Sequence, residues 1–482
     1  MAGIGFELKR LFSKRTLTSK LVGVFHSVFS TVGHLLISIT LLLAVHLMLI
    51  NISFDDFYKE IYSSAVLYAF AFSFLFTNGS NILLSRYIAD NIYLENYEKI
   101  LPSVFGSVLT YIILAAPAGI IFYIFSPLNA AFKIGAYLLF IEMGIIFKLM
   151  VYVSALNNYK VISLSFFLGF LVTGVLSYFI IQMKDHPMNT ITLLIYAFDF
   201  GASITMTGIL FSIKGYFSKR SNNYFDFLLY LKKYPALFCS SLIYGFGLYI
   251  HNFVFWIYPE TRDSVASFIF STKYDMASFI GMLTIIPATV FFVVRVETSF
   301  YDNYKAYLEA INEGTVDQIE KTKKEMQNTL WRELFFIIEV QIAASLFFIV
   351  IGMGILPGVG MSNEIVEMYP FLSCGYFFTF LMFITNTILL YFQSYNDVLM
   401  INILFFFSNL IFTVLTALMG SDFYGLGLIG SGIISFTASF NKLKKTMDNI
   451  DYVLFCSQSL REQNRITFFE RFIAKLDGKK VD

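Results

Sequence analysis

Three ionisable residues, Glu142, Lys148 and Asp199, each lie well inside a long apolar stretch of this 482-residue chain. A charged side chain near the centre of a bilayer costs about 2.5 to 3.5 kcal/mol on insertion scales. Left unpaired and dry, the three together would cost up to about 10 kcal/mol. Groups held there at such cost mark either a hydrated path through the membrane or a buried pair that pins helices together. Glu142 and Lys148 are six residues apart, about 120° around one helix, which rules out a simple i,i+4 pair. Asp199 is therefore the expected partner of Lys148.

Other polar residues in apolar surroundings extend the list of path candidates. Asn78-Gly79-Ser80-Asn81 interrupts the second apolar stretch, and Asn78 and Asn81 read either as a hinge or backbone site on a watery path or as helix packing. His251 and Asn252 lie toward the outer end of the seventh stretch. Arg295 closes the eighth, where a guanidinium can snorkel to the interface.

Nothing here spells bond-making chemistry. No cluster combines a nucleophile, a base and an oxyanion donor, there is no Walker A loop, and the five histidines form no His-Glu-x-x-His pattern. Cys239, Cys374 and Cys456 are scattered and imply no disulfide framework. Gly425-Leu426-Gly427-Leu428-Ile429-Gly430 matches the dinucleotide fingerprint, but no strand precedes it, so close helix packing is the expected role. The chain is expected to be no enzyme, to hold no metal or cofactor and to have no nucleic-acid partner.

The elements that must position these residues are membrane helices. Hydrophobic residues make up 57% and charged residues 14%, well short of the roughly 25% charged in a soluble domain. About 20 apolar residues in a helix cross a hydrocarbon core of about 30 Å with every backbone amide satisfied internally. Twelve such stretches are legible. They run Leu21 to Ile50, Ile61 to Ile88, Ile100 to Phe125, Ile134 to Leu156, Val161 to Met183 and Ile191 to Ile213, then Ala236 to Ile257, Tyr274 to Val296, Leu334 to Leu356, Phe371 to Phe392, Val398 to Leu418 and Phe423 to Leu443. The first is too long for a cleavable signal and is expected to remain as a helix. The many Phe and Tyr are expected mainly to face lipid and the interfaces.

The expected architecture is an all-α polytopic membrane protein whose 12 transmembrane helices form two six-helix lobes around a central cavity. Residues 1–20 form a cytoplasmic amphipathic segment, 21–213 the N-lobe, 214–233 a basic cytoplasmic linker, 234–443 the C-lobe and 444–482 a cytoplasmic tail. On this topology the outer side carries only Lys59, Lys133, Lys184, Arg262 and Lys273. The positive-inside rule then places both termini in the cytoplasm. An even number of spans per half gives both halves the same orientation, as in a parallel repeat.

One water-exposed insertion, 300–332, reads as two amphipathic helices broken at Gly314. Tyr301, Tyr304, Leu308 and Ile311 share one face of the first, which either lies on headgroups or docks a cytoplasmic partner. Thr315 with Gln318 fits a capping box for the second.

The opening run Met1-Ala2-Gly3-Ile4-Gly5-Phe6-Glu7-Leu8, the segments Ala277-Ser278-Phe279-Ile280 and Thr284-Ile285-Ile286-Pro287, the tetrad Arg295-Val296-Glu297-Thr298 and the tail Leu454-Phe455-Cys456 resemble the Pel exopolysaccharide transporter family, PelG. That family is similar to the multidrug/oligosaccharidyl-lipid/polysaccharide (MOP) flippase superfamily. The resemblance implies two lobes facing across a cavity in the bacterial cytoplasmic (inner) membrane. It also implies export of a GalNAc/GalN-rich Pel polysaccharide for a biofilm matrix. The implied partners are a cytoplasmic glycosyltransferase and membrane proteins of the PelD and PelE kind, besides the lipid bilayer and the polysaccharide itself. Cation-coupled drug exporters of the superfamily place an acidic residue in helix one, and Leu21 to Ile50 contains no Asp or Glu. The alternatives are a cation-coupled multidrug or lipid-linked oligosaccharide flippase, and a membrane scaffold for the glycosyltransferase.

Overall fold

Proline, glycine and capping residues decide where the long apolar stretches begin, bend and end. The computed structural model describes residues 55–154, 159–183, 186–217, 221–295, 299–452 and 476–477. The expected first span, Leu21 to Ile50, the segment 1–20 and most of the tail lie outside the described residues. The helices are α1 (Asp56–Tyr93), α2 (Ile100–Ile124), α3 (Ala130–Ser154), α4 (Tyr159–Gln182), α5 (Pro187–Tyr216), the short α6 (Leu229–Lys233) and α7 (Pro235–Ile257). A hairpin of β1 (Asp263–Val265) and β2 (Phe268–Phe270) follows, then α8 (Thr272–Leu283), α9 (Ile286–Arg295), α10 (Tyr301–Glu313), α11 (Val316–Ile355), α12 (Asn363–Tyr391), α13 (Tyr395–Met419) and α14 (Leu426–Asp448). Among the described residues, 11 helical stretches are long and apolar enough to cross a membrane, counting α8 with α9 as one. They correspond in order to the second through twelfth expected spans.

The chain divides into two compact units. One holds α1 to α6, most of α7 and, returning later in the sequence, Arg262–Phe270. Within it α3 packs between α1 and α5, α2 lies on α3, and α4 pairs with α5. That last pairing is very close: a methyl group added at Gly201 would sit 2.5 Å from the Gly169 carbonyl, and one at Gly169 would sit 2.4 Å from that of Gly201. Lipid tails are as apolar as leucine, so membrane helices associate where small residues let backbones approach. Bulky residues such as Ile113, Phe179 and Phe211 point outward, where hydrocarbon replaces water.

The other unit holds, among the described residues, Ile250–Thr261 and the chain from Ser271 through Tyr452. Here α12 is the central helix, flanked by α8, α11 and α14, with α13 on α14. Gly427, Ser431, Ser435 and Ser439 repeat every fourth residue and are all buried. A methyl at Gly427 would lie 2.7 Å from the Thr413 backbone. The glycine-rich fingerprint is thus a helix-packing surface, as its surroundings imply.

Two boundaries differ from the sequence expectation. The eighth span is not one helix: α8 stops at Leu283 and α9 starts at Ile286, because Pro287 has no amide to donate and its ring collides with the carbonyl four residues earlier. The Thr284 hydroxyl turns back to the Gly281 carbonyl at 2.8 Å, and Gln341 of α11 donates to the Thr284 carbonyl at 3.3 Å. The ninth span and the second amphipathic piece are instead one 40-residue helix, α11. Met326, Leu330, Leu334 and Ile337 form a continuous buried face across the expected boundary, with no glycine or proline to break it. The break at Gly314 and the Thr315–Gln318 capping box are both present.

Beyond the end of α14, Asp451 accepts from the Tyr307 hydroxyl of α10 at 2.7 Å and from the Lys323 ammonium of α11. Partial burial alone would raise the Asp451 carboxyl, but the Lys323 and Tyr307 hydrogen bonds outweigh it and hold the group below the usual aspartate range. A depressed carboxyl contributes stability above its unfolded value and loses it as pH falls through its folded value. Protection of the α10 amides, measured against their intrinsic exchange rates at each pH, is therefore expected to stay flat from about pH 7 to pH 5 and to fall only below about pH 4. Exchange in an Asp451→Asn variant should be raised already at neutral pH.

Candidate functional site

Lys148 is 1% exposed on α3, and its ammonium donates to the Ser80 hydroxyl on α1. The expected pairing with Asp199 is absent. Asp199 on α5 faces the start of α3, where a methyl on Gly135 would come 3.5 Å from its Oδ2. Lys148 is thirteen residues further along that helix, about 20 Å at 1.5 Å per residue. Both Asp199 carboxyl oxygens are buried without a hydrogen-bond partner.

Glu142 lies between these two positions. Its Oε1 accepts from the Ser203 hydroxyl of α5 at 2.6 Å, while Oε2 is buried without a hydrogen-bond partner. Glu142 is close enough to Asp199 for their negative charges to repel, and no ion pair joins either carboxylate to a base among the described residues. A carboxylate in such a place can hold its charge only with a cation or with hydrogen-bond donors beyond those present, because desolvating an unpaired ion is so costly. The arrangement suits a group that accepts a proton, a cation or a hydroxyl-bearing guest.

The tetrad Asn78 to Asn81 does not interrupt its helix, which runs unbroken through it. It instead puts polar groups on several sides of α1, since four consecutive helical residues span about 300°. The Asn78 amide donates to the Ser241 carbonyl of α7, and the Ser241 hydroxyl returns a bond to the Asn78 carbonyl at 3.2 Å. Asn81 donates weakly to the Phe147 carbonyl of α3 at 3.4 Å. Ser80, which holds Lys148, was marked in the sequence only as part of this tetrad, and Ser203, which holds Glu142, carries no signal beyond being a small polar residue in an apolar helix.

The candidates in the other unit build three hydrogen-bonded groups. His251 is fully buried, with Nδ1 3.0 Å from the Tyr274 hydroxyl and Nε2 3.4 Å from that of Tyr376, which reaches Ser278 at 2.7 Å. Asn252 donates to Asp275 Oδ1 at 2.7 Å, and the Trp256 indole donates to Oδ2 at 2.8 Å. Arg295 pairs with Glu333 of α11 at 2.9 Å and lies 4.0 Å over the Phe336 ring, and Arg332 shares the same carboxylate at 3.2 Å. Glu333 escaped the sequence reading because it falls one residue before the expected ninth span.

On α10, Tyr301 is exposed, Tyr304 stacks on Phe300 and meets Phe392 edge-on, and Leu308 and Ile311 are half-buried. The most buried residue of that face is Tyr307, which the spacing did not single out. No group of three His, Cys, Asp or Glu side chains able to hold a metal occurs among the described residues.

No curated protein matches the sequence. Among solved structures, the chain is similar to one described as the outward-facing conformation of a multidrug resistance MATE family transporter of the MOP superfamily. The TM-score is 0.61 at 14% identity over 89% of this chain and 96% of that one. It is similar to the same extent, at 12% identity over the same shares of each chain, to a MOP superfamily transporter from Pyrococcus furiosus Vc1 (DSM3638) whose reversed binding-pocket polarity suggests a different function. These likenesses assign the fold: an all-α polytopic membrane protein of MOP type. A family model described as "Putative exopolysaccharide Exporter (EPS-E)" matches residues 1–455. On a fold shared with these transporters, and with nearly its whole length matched by the family model, the chain belongs to the PelG family of exopolysaccharide exporters.

Proposed function

We propose that this chain carries a Pel-type polysaccharide, rich in GalNAc and GalN, across the bacterial cytoplasmic membrane with both termini in the cytoplasm. It would receive the polymer from a cytoplasmic glycosyltransferase, together with membrane proteins of the PelD and PelE kind. The observation that carries the reading is the family match along the chain, and the Glu142, Asp199 and Lys148 set supports it. Each sugar hydroxyl entering hydrocarbon without a partner costs several kcal/mol, roughly 4 to 8 on the least forgiving scale. A helix bundle that keeps unsatisfied carboxyl oxygens and a buried ammonium in its membrane segment holds groups suited to sugar hydroxyls and amines. Asn78, Asn81, His251, Asn252 and Arg295 are proposed as further groups on the path, and the Tyr301, Tyr304, Leu308 and Ile311 face as a dock for the glycosyltransferase.

Purified protein in lipid vesicles tests this. Partially deacetylated GalNAc oligosaccharides should cross the vesicle membrane about tenfold faster than in protein-free vesicles, a barrier lower by about 1.4 kcal/mol. Vesicles that stay impermeable to the glycan, while deletion of the chain stops secretion in cells, would instead support the scaffold. Drug efflux without glycan movement would support a multidrug flippase.

A further inference from the structure

We propose that the β1–β2 hairpin is a releasable latch, docked on α1 and α2 in the present state and undocked at another stage of the export cycle. The hairpin packs with the unit containing α1 to α5, yet both of its ends run into segments of the other unit: α7 ends six residues before β1, and α8 begins two residues after β2. A rearrangement of either unit during transport must therefore carry the hairpin along or peel it away.

Its docking contacts are specific. The Tyr68 hydroxyl of α1 donates to the Ile269 carbonyl at 2.6 Å and accepts from the Ile269 amide at 2.9 Å, taking the place of a third strand. Phe268, fully buried, inserts among Tyr68, Phe122 and Tyr123 with ring centroids 5.1 to 6.5 Å apart. Ser267 donates to the Ser126 hydroxyl at 2.8 Å. Water can replace each hydroxyl contact, so release strands no backbone group.

Other features limit the hairpin's own stability. A two-stranded hairpin has little stability of its own. Its tight turn uses Ala266 at φ 52°, a left-handed conformation that Asn or Gly adopts far more readily. A clasp held by the Phe268 anchor, with Val265 and Phe270 also buried, and by two hydroxyls, and strained at its turn, is suited to release.

The test uses a chain with Cys239, Cys374 and Cys456 replaced by serine, carrying Ser126→Cys and Ser267→Cys together. Oxidation should join the pair, and secreted polymer should fall about tenfold while the link holds and recover on reduction. A crosslinked chain that secretes as much as its reduced form, or a pair that never joins, overturns the latch. The proposal rests on the transport reading only for that readout. If neither form secretes, the transport reading is at fault, and labelling decides the latch. A membrane-impermeant maleimide should modify Ser267→Cys about tenfold faster when Tyr68→Phe is added. An unchanged rate overturns the proposal.

Discussion

Lys148→Ala and Glu142→Ala should each abolish secreted polymer while the protein continues to accumulate in the membrane. Both side chains sit inside membrane-spanning helices, and their recorded hydrogen-bond partners are serine hydroxyls, Ser80 for Lys148 and Ser203 for Glu142. Removing an ionisable group from the middle of a span relieves about 2.5 to 3.5 kcal/mol of insertion cost. Neither change should therefore impair assembly in the bilayer, and an immunoblot of the membrane fraction should match that of the unmodified chain. Lys148→Met, which keeps the apolar stem and removes only the charge, separates loss of the ammonium from loss of packing and should also fail to export. Normal secretion by both alanine variants would remove this cluster from the transport path.

Gly201→Leu should disrupt the unit built on α1 to α5. A methyl at that position would lie 1.9 Å from the Thr173 hydroxyl and 2.5 Å from the Gly169 carbonyl, and a larger side chain forces α4 and α5 apart. Overpacking typically costs about 1 to 3 kcal/mol, and separating two membrane helices whose hold depends on close backbone approach should reach or exceed the top of that range. The expected result is a lower melting temperature in detergent and loss of a single species on size exclusion. Gly215→Leu is the control, since nothing lies within 4 Å of the added atom. Equal melting temperatures for the two variants would mean that the α4–α5 contact is not what holds this unit together.

Local features were the most legible. The spans follow from hydropathy, which is a property of each segment alone. The break at Gly314 and the Thr315–Gln318 box were readable because capping involves residues three apart. The glycine fingerprint could be assigned to packing because a missing strand is visible in the neighbouring residues. Pro287 offered the signal for the break between α8 and α9, but the strongly apolar run around it outweighed that signal. The continuity of α11 was obscured for the opposite reason: its charged first half and apolar second half look like separate elements, although one buried face unites them.

Membrane residence, the order of the described spans and the family resemblance are thus properties of the chain read by itself, since each depends on neighbours within a few turns. Tertiary structure alone decided that Lys148 meets Ser80 rather than Asp199, that Arg295 finds Glu333, and that Tyr68 completes a hairpin 201 residues away. Helical periodicity says which face a residue occupies but not how far one helix is slid along another. Each residue of slide moves a side chain about 1.5 Å, so a few residues of register exchange one partner for another.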